Sequence, residues 1–148
     1  MTLTDKLFAN RLLDTAQAVK DFEAAIQELG LRNVVASDLP SILRCFDDKT
    51  NQYDVMWALV HLVEQAPPQA LVEALLEESV RMSGEASEWL FALVARVLNT
   101  PEHCALFTVA FPSMPKEIRI ALNSTLARVG KSRAAGAPAA RMLLSLET

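Results

Sequence analysis

Residues 57–67 and 91–101 read alike. Sliding the chain on itself by 34 positions sets Trp57-Ala58-Leu59-Val60-His61-Leu62-Val63-Glu64-Gln65-Ala66-Pro67 against Phe91-Ala92-Leu93-Val94-Ala95-Arg96-Val97-Leu98-Asn99-Thr100-Pro101, with Ala, Leu, Val, Val and the closing Pro in common. A helix-turn-helix unit recurring at this period marks an α-solenoid, in which each hairpin buries one face against the next. Two amphipathic helices drawn from Ala, Leu and Val can also coincide by composition. Either origin predicts an all-α chain of seven or eight helices stacked as antiparallel hairpins, HEAT-like in character.

The rest of the chain agrees. Only 4 glycines and 6% aromatics among 148 residues disfavour a β-sandwich, and no strand-turn-helix unit with a Gly-rich phosphate loop can be drawn. With 51% hydrophobic and 22% charged residues, apolar burial can offset the ordering entropy of one domain, residues 1–148. Within it, 1–50 reads as N-terminal helices, 51–130 as hairpin repeats and 131–148 as an Ala-rich C-terminal helix.

Apolar positions from Leu7 through Phe8, Leu12, Thr15/Ala16, Val19, Phe22, Ile26 and Leu29 predict one long first helix, stopped by Gly30. A short helix capped by Ser37 or Asp38 runs to Phe46, and Asp47 to Asn51 is a polar loop. Helix three covers Tyr53 to Gln65. Helix four covers Gln69 to Met82, with Leu71, Leu75, Leu76 and Val80 inward and a break at Ser83-Gly84. Helix five, about Glu85 to Asn99, buries Trp89, Leu90, Leu93, Val94 and Val97, while Ala92 and Ala95 permit a close helix-helix approach. Trp57 is expected in or beside the core. Thr100-Pro101-Glu102 opens helix six, Ser113 caps helix seven, whose stripe Ile118, Leu122, Leu126, Val129 stops at Gly130, and a last short helix ends at Leu146.

Charge is distributed unevenly. Residues 1–113 hold 8 basic and 16 acidic side chains, and 114–148 hold 6 basic and 2 acidic, giving the overall net charge of −4. The acidic middle, 38–88 with ten carboxylates against Arg44, Lys49 and Arg81, repels phosphate backbones and steers a basic partner, and the six cations of the tail lack interleaved aromatics, so nucleic acid is not an expected partner. No apolar run reaches the length of a membrane span, and the amino terminus lacks a signal-peptide pattern, so a cytoplasmic protein without membrane contact is expected. Cys45 and Cys104 read as reduced, small-hydrophobe cysteines.

Chemistry is sparse. His61 shares a polar stripe with Asp54, but no nucleophile or oxyanion nest accompanies it, and His103 beside Cys104 lacks metal-ligand spacing. The carboxylates lack the loop grammar of a calcium site. Neither a cofactor, nor a metal, nor enzymatic activity is expected.

Tyr53-Asp54-Val55-Met56-Trp57 leading into an apolar helix, Ser87-Glu88-Trp89 opening another, and Leu98-Asn99-Thr100-Pro101-Glu102 resemble an all-α family of bacterial immunity proteins. These are encoded beside polymorphic toxins, including contact-dependent inhibition and Rhs-type effectors. The resemblance covers about 50–129 and leaves the first helix and the Ala-rich tail outside. It implies stoichiometric inhibition of a cognate toxin domain in the cytosol; the acidic charge of the chain adds the expectation that the partner, the toxin's C-terminal domain, presents a basic surface. The toxin-binding residues expected are Asp47, Asp48, Tyr53, Asp54, Glu64, Glu77, Glu85 and Glu88, with aromatic anchors inside a polar rim. The competing reading is a helical-repeat adaptor or scaffold for an endogenous protein.

Overall fold

The computed structural model describes residues 1–146, so Glu147 and Thr148, the end of the expected 131–148 segment, lie outside the described residues. Among the described residues there are nine α-helices and no strand. They are α1 (Leu3–Ala9), α2 (Ala16–Arg32), α3 (Leu39–Leu43), α4 (Tyr53–Val63), α5 (Pro68–Glu85), α6 (Ser87–Asn99), α7 (Pro101–Ala110), α8 (Lys116–Gly130) and α9 (Ala137–Ser145). The all-α expectation holds. The ninth helix arises because the expected first helix is two.

Local hydrogen bonding explains that division. Thr2 and Asp5 form a reciprocal capping box on α1, with Asp5 N–H donating to Thr2 Oγ1 at 3.1 Å and Thr2 N–H to Asp5 Oδ2 at 3.1 Å. Thr15, which sits on the apolar stripe in the sequence reading, instead takes an extended backbone and accepts from Ala18 N–H at 3.0 Å, starting α2 afresh. Between them Leu13 adopts a φ of 53° while remaining buried. Phe8 and Leu12 are consequently left at the surface, with the Arg11 guanidinium 4.0 Å above the Phe8 ring. Gly30 stays helical, and α2 ends at Asn33 with a φ of 68°.

Arg32 at the end of α2 makes a two-pronged pair with Asp38, at 3.0 and 2.9 Å, and Val35 N–H donates to the same carboxylate at 3.0 Å. The Arg32 bond, with the backbone donor, holds the Asp38 carboxyl below its ordinary value despite partial burial. Stabilisation from a depressed carboxyl is complete above the unfolded value of about 3.9 and disappears as pH falls through the lower folded value. Asp38→Asn is therefore expected to lose about 1 kcal/mol or less at pH 7, with the gap to the parent closing in strong acid. Urea titrations across pH measure it, and a gap that persists unchanged below the folded value would exclude this ionisation as its source.

Two stops move for physical reasons. α5 continues through Ser83-Gly84 to Glu85, with the Ser83 hydroxyl donating back to the Val80 carbonyl at 2.7 Å, and Ala86 (φ −145°, ψ 45°) makes the break. On its inner face Ser79 is buried, its hydroxyl donating to Leu76 O at 2.7 Å, and Val80 turns outward against the expectation. Ser113 does not cap α8. It lies in a 3-10 turn, Phe111–Ser113, and α8 begins after Pro115. Thr100 does precede Pro101 at the first position of α7, but its hydroxyl donates to Arg96 O at 3.0 Å rather than capping.

One cluster of buried side chains runs from Leu7 to Leu143. α5 is its axis, packed against α3, α6, α7 and α8, while α2 lies on α1 and α4, and α9 closes on α8 and α6. The matched helices α4 and α6 start 34 residues apart yet have different neighbours, since α4 rests on α2 and α3. Both cysteines are free; burial pushes the Cys45 thiol up to about 12 and raises Cys104 as well, which suits packing groups rather than nucleophiles. No described helix is long and apolar enough to cross a membrane.

Candidate functional site

α4 buries Val55, Met56, Leu59, Val60, Leu62 and Val63, which occupies most of its circumference. What remains outside includes Tyr53 and Trp57, one turn apart and 59% and 38% exposed. Facing them, α6 supplies Trp89, whose ring is 5% exposed and meets the Trp57 ring edge-on at 5.6 Å, Tyr53 at 6.4 Å and Phe46 at 5.8 Å. The Trp89 ring thus backs the two exposed ones. Beside it on α6, Ala92 and Ala95 leave a depression, and Phe91 with Arg128 of α8 forms the opposite wall. The resulting groove has a volume of about 600 Å³.

Ion pairs edge both ends. Glu64 of α4 accepts two bonds from Arg96 of α6, each at 2.9 Å, and the bond keeps the Arg96 guanidinium above its ordinary value. That guanidinium lies 5.7 Å from the Trp57 ring, and His61 Nδ1 is 3.4 Å from Glu64. At the other end Arg128 donates to Glu88 at 2.7 Å while stacking 3.9 Å over Phe91. Asp48 reaches across from the 47–51 loop to the first turn of α6, accepting from Ser87 Oγ at 3.2 Å and Glu88 N–H at 3.3 Å. Ala86 has no side-chain cap to offer, so a residue about 40 positions away in sequence does the work of one.

The eight residues expected at a binding surface separate into groups. Asp48, Tyr53 and Glu88 line the groove, and Glu64 stands behind Arg96 at its end. Asp54 is exposed on the first turn of α4 but does not line it. Asp47 is buried, accepting from Lys49 N–H at 2.9 Å and sitting 4.0 Å from Arg11, so the 47–51 loop is not uniformly a solvated acidic one. Glu77 is exposed on α5, and Glu85 pairs with Arg81 at 3.1 Å. Trp57, Phe91, Arg96 and Arg128 were not among the residues expected to bind. The readable signal was spacing: Tyr53 and Trp57 at i, i+4, and Glu88, Ala92 and Arg96 at i, i+4, i+8.

No described cluster of three or more His, Cys, Asp or Glu side chains could hold a metal ion. His61, the acid-base candidate, has Glu64 beside it at 3.4 Å and the Trp57 ring tilted against its own at 6.3 Å. The groove itself offers aromatic surface, a floor of small residues and paired charges.

The sequence model described as Immunity protein 30 matches residues 9–107, which covers α2 through most of α7 and all of the groove except Arg128. The chain belongs to the Immunity protein 30 family. The match reaches back to residue 9, so α2 falls within the family region although the sequence resemblance began near residue 50, and it stops short of α8. No curated protein and no solved structure matches the chain significantly. Membership of Immunity protein 30 gives this chain a toxin-immunity role in general terms and a toxin as its kind of partner, in a family that is generally non-catalytic.

Proposed function

We propose that this Immunity protein 30 member binds one cognate toxin domain, one to one, and neutralises it in the cytoplasm by covering a surface the toxin needs. The observation that carries the reading is the pair of exposed aromatics, Tyr53 and Trp57, standing over a groove edged by Asp48, Glu88, Arg96 and Arg128. Tyr, Trp and Arg are the side chains that dominate binding energy at protein interfaces. The acidic contribution comes from Asp48 and Glu88 in the groove and from Asp54 at its edge, which favours a basic toxin surface and fast, salt-sensitive capture, while Glu77 on α5 and the Arg81-paired Glu85 lie away from it. Asp47 and Glu64 hold the scaffold instead. Three cations of the basic tail are occupied within the chain, Arg119 by Met114 O, Arg128 by Glu88 and Arg141 by Gly130 O, which supports a protein partner over nucleic acid.

The test is co-expression with the C-terminal domain of the large modular toxin encoded by the adjacent upstream reading frame. Rescue of growth together with one-to-one co-purification is the expected outcome. Unchanged killing with no complex would refute the reading and leave the adaptor alternative, for which a stoichiometric complex with an endogenous protein is the corresponding sign.

A further inference from the structure

The floor of the groove limits what can enter it. Ala92 and Ala95 lie one turn apart on α6, between the Trp57 wall and the Phe91 wall, and small residues there let a second backbone come close, since helix axes approach as near as 8–10 Å only where contact side chains allow it. A volume of about 600 Å³ holds a few side chains and not a folded domain, so a partner inserts a single element. The walls hold Trp, Tyr and Arg, a composition suited to a protein anchor.

Charge orients that element. At the end where Arg96 stands, its guanidinium is already satisfied by both oxygens of Glu64. At the opposite end Glu88 has Arg128, but Asp48 accepts only from a hydroxyl and a backbone N–H, and Asp54 has no hydrogen bond or ion pair among the described residues. Among the described residues, the negative charge left uncompensated at the groove therefore lies at its Asp48 end. Resting on the immunity reading above, we propose that the groove receives one amphipathic helix of the toxin domain, laid along α6 with small or aliphatic residues on Ala92 and Ala95 and a lysine or arginine directed to Asp48 and Asp54.

The probe is the same upstream toxin domain, and the reference is its complex with the unaltered chain. Ala92→Trp fills the floor. It is expected to weaken binding by about 30-fold or more, the size of a hot-spot loss, with the helical signal and melting temperature kept. Asp54→Lys is expected to slow association and to flatten its salt dependence, whereas Glu77→Lys on α5 leaves affinity unchanged. Amide exchange on the unaltered complex reads the site without any substitution: protection at 53–57 and 88–96, with the toxin's own protected stretch a helix carrying Lys or Arg, is the supporting result. Retained affinity in a folded Ala92→Trp variant, protection confined to the Glu77 side, or a protected toxin loop or strand would each overturn the proposal while immunity stands. Absence of any complex with the unaltered chain would sink the immunity reading instead.

Discussion

Replacing Trp89 by alanine is expected to cost about 3–5 kcal/mol of stability, the range for deleting a buried large aromatic, from a total that for most domains is about 5–15 kcal/mol. The ring is 5% exposed and is held by Phe46, Tyr53 and Trp57 at centroid distances of 5.8, 6.4 and 5.6 Å. Its neighbours come from the 44–52 connection, which supplies Phe46, and from α4, which supplies Tyr53 and Trp57, so they cannot collapse into the vacated space without moving a helix. For a chain of this length each kcal/mol corresponds to about 2–4 °C, and the melting temperature should fall by roughly 6–20 °C in a thermal scan followed by circular dichroism. Trp89→Phe keeps most of the packing and should lie much closer to the parent. A fall of less than about 2 °C for the alanine variant would mean that the ring is dispensable to the core, contrary to its burial.

Gly136→Ala should be nearly as damaging, for the opposite reason. A Cβ at this position would lie 2.5 Å from Leu98 Cβ and 2.7 and 2.8 Å from the Leu98 carbonyl carbon and oxygen. Backbone cannot rotate aside. The residue has φ −80° and ψ −3°, which any amino acid adopts, so the glycine is required by space and not by conformation. Its N–H donates to Asn99 Oδ1 at 2.7 Å, fixing the start of α9 against the end of α6. Overpacking there is expected to cost at least about 1–3 kcal/mol, read as a lower urea midpoint. Gly84→Ala is the matched control: beyond its chain neighbours and its own helix's backbone nothing lies within 4 Å of the added methyl and the site is helical, so it should gain about 0.5–1 kcal/mol. Equal effects at the two glycines would show that contact with Leu98 is not what distinguishes them.

The helical class and the core of α6 were legible because period and burial coincide there: Trp89, Leu90, Leu93, Val94 and Val97 are all buried as their spacing predicts. The first helix misled because Leu12 and Thr15 fit an apolar stripe, while the competing use of the Thr15 hydroxyl as a cap leaves no trace in periodicity. Val80 faces outward and its neighbour Ser79 inward for a related reason, since a buried serine can satisfy itself on the preceding turn, which hydropathy alone does not register. At the site, counting carboxylates found Asp48 and Glu88 but could not tell them from Asp47, whose burial depends on Arg11 folding back from another segment. Arg96 shares a helical face with Glu88 and Ala92 and was within reach of spacing alone, whereas Arg128 stayed hidden because its groove position depends on α8 meeting α6, and no local signal carries that.

The contacts that hold the far side of the groove also set when it can exist. Arg128 reaches Glu88 over 40 positions and Gly136 reaches Asn99 over 37, so α4 and α6 leave the ribosome well before the wall and buttress that complete the site. At the usual elongation speed of about 5–20 residues per second, that lag is roughly 2–8 s for each new molecule. Protection in a growing cell would then track finished chains and not nascent ones, and a message truncated after α7 would yield family-matching sequence without a closed groove.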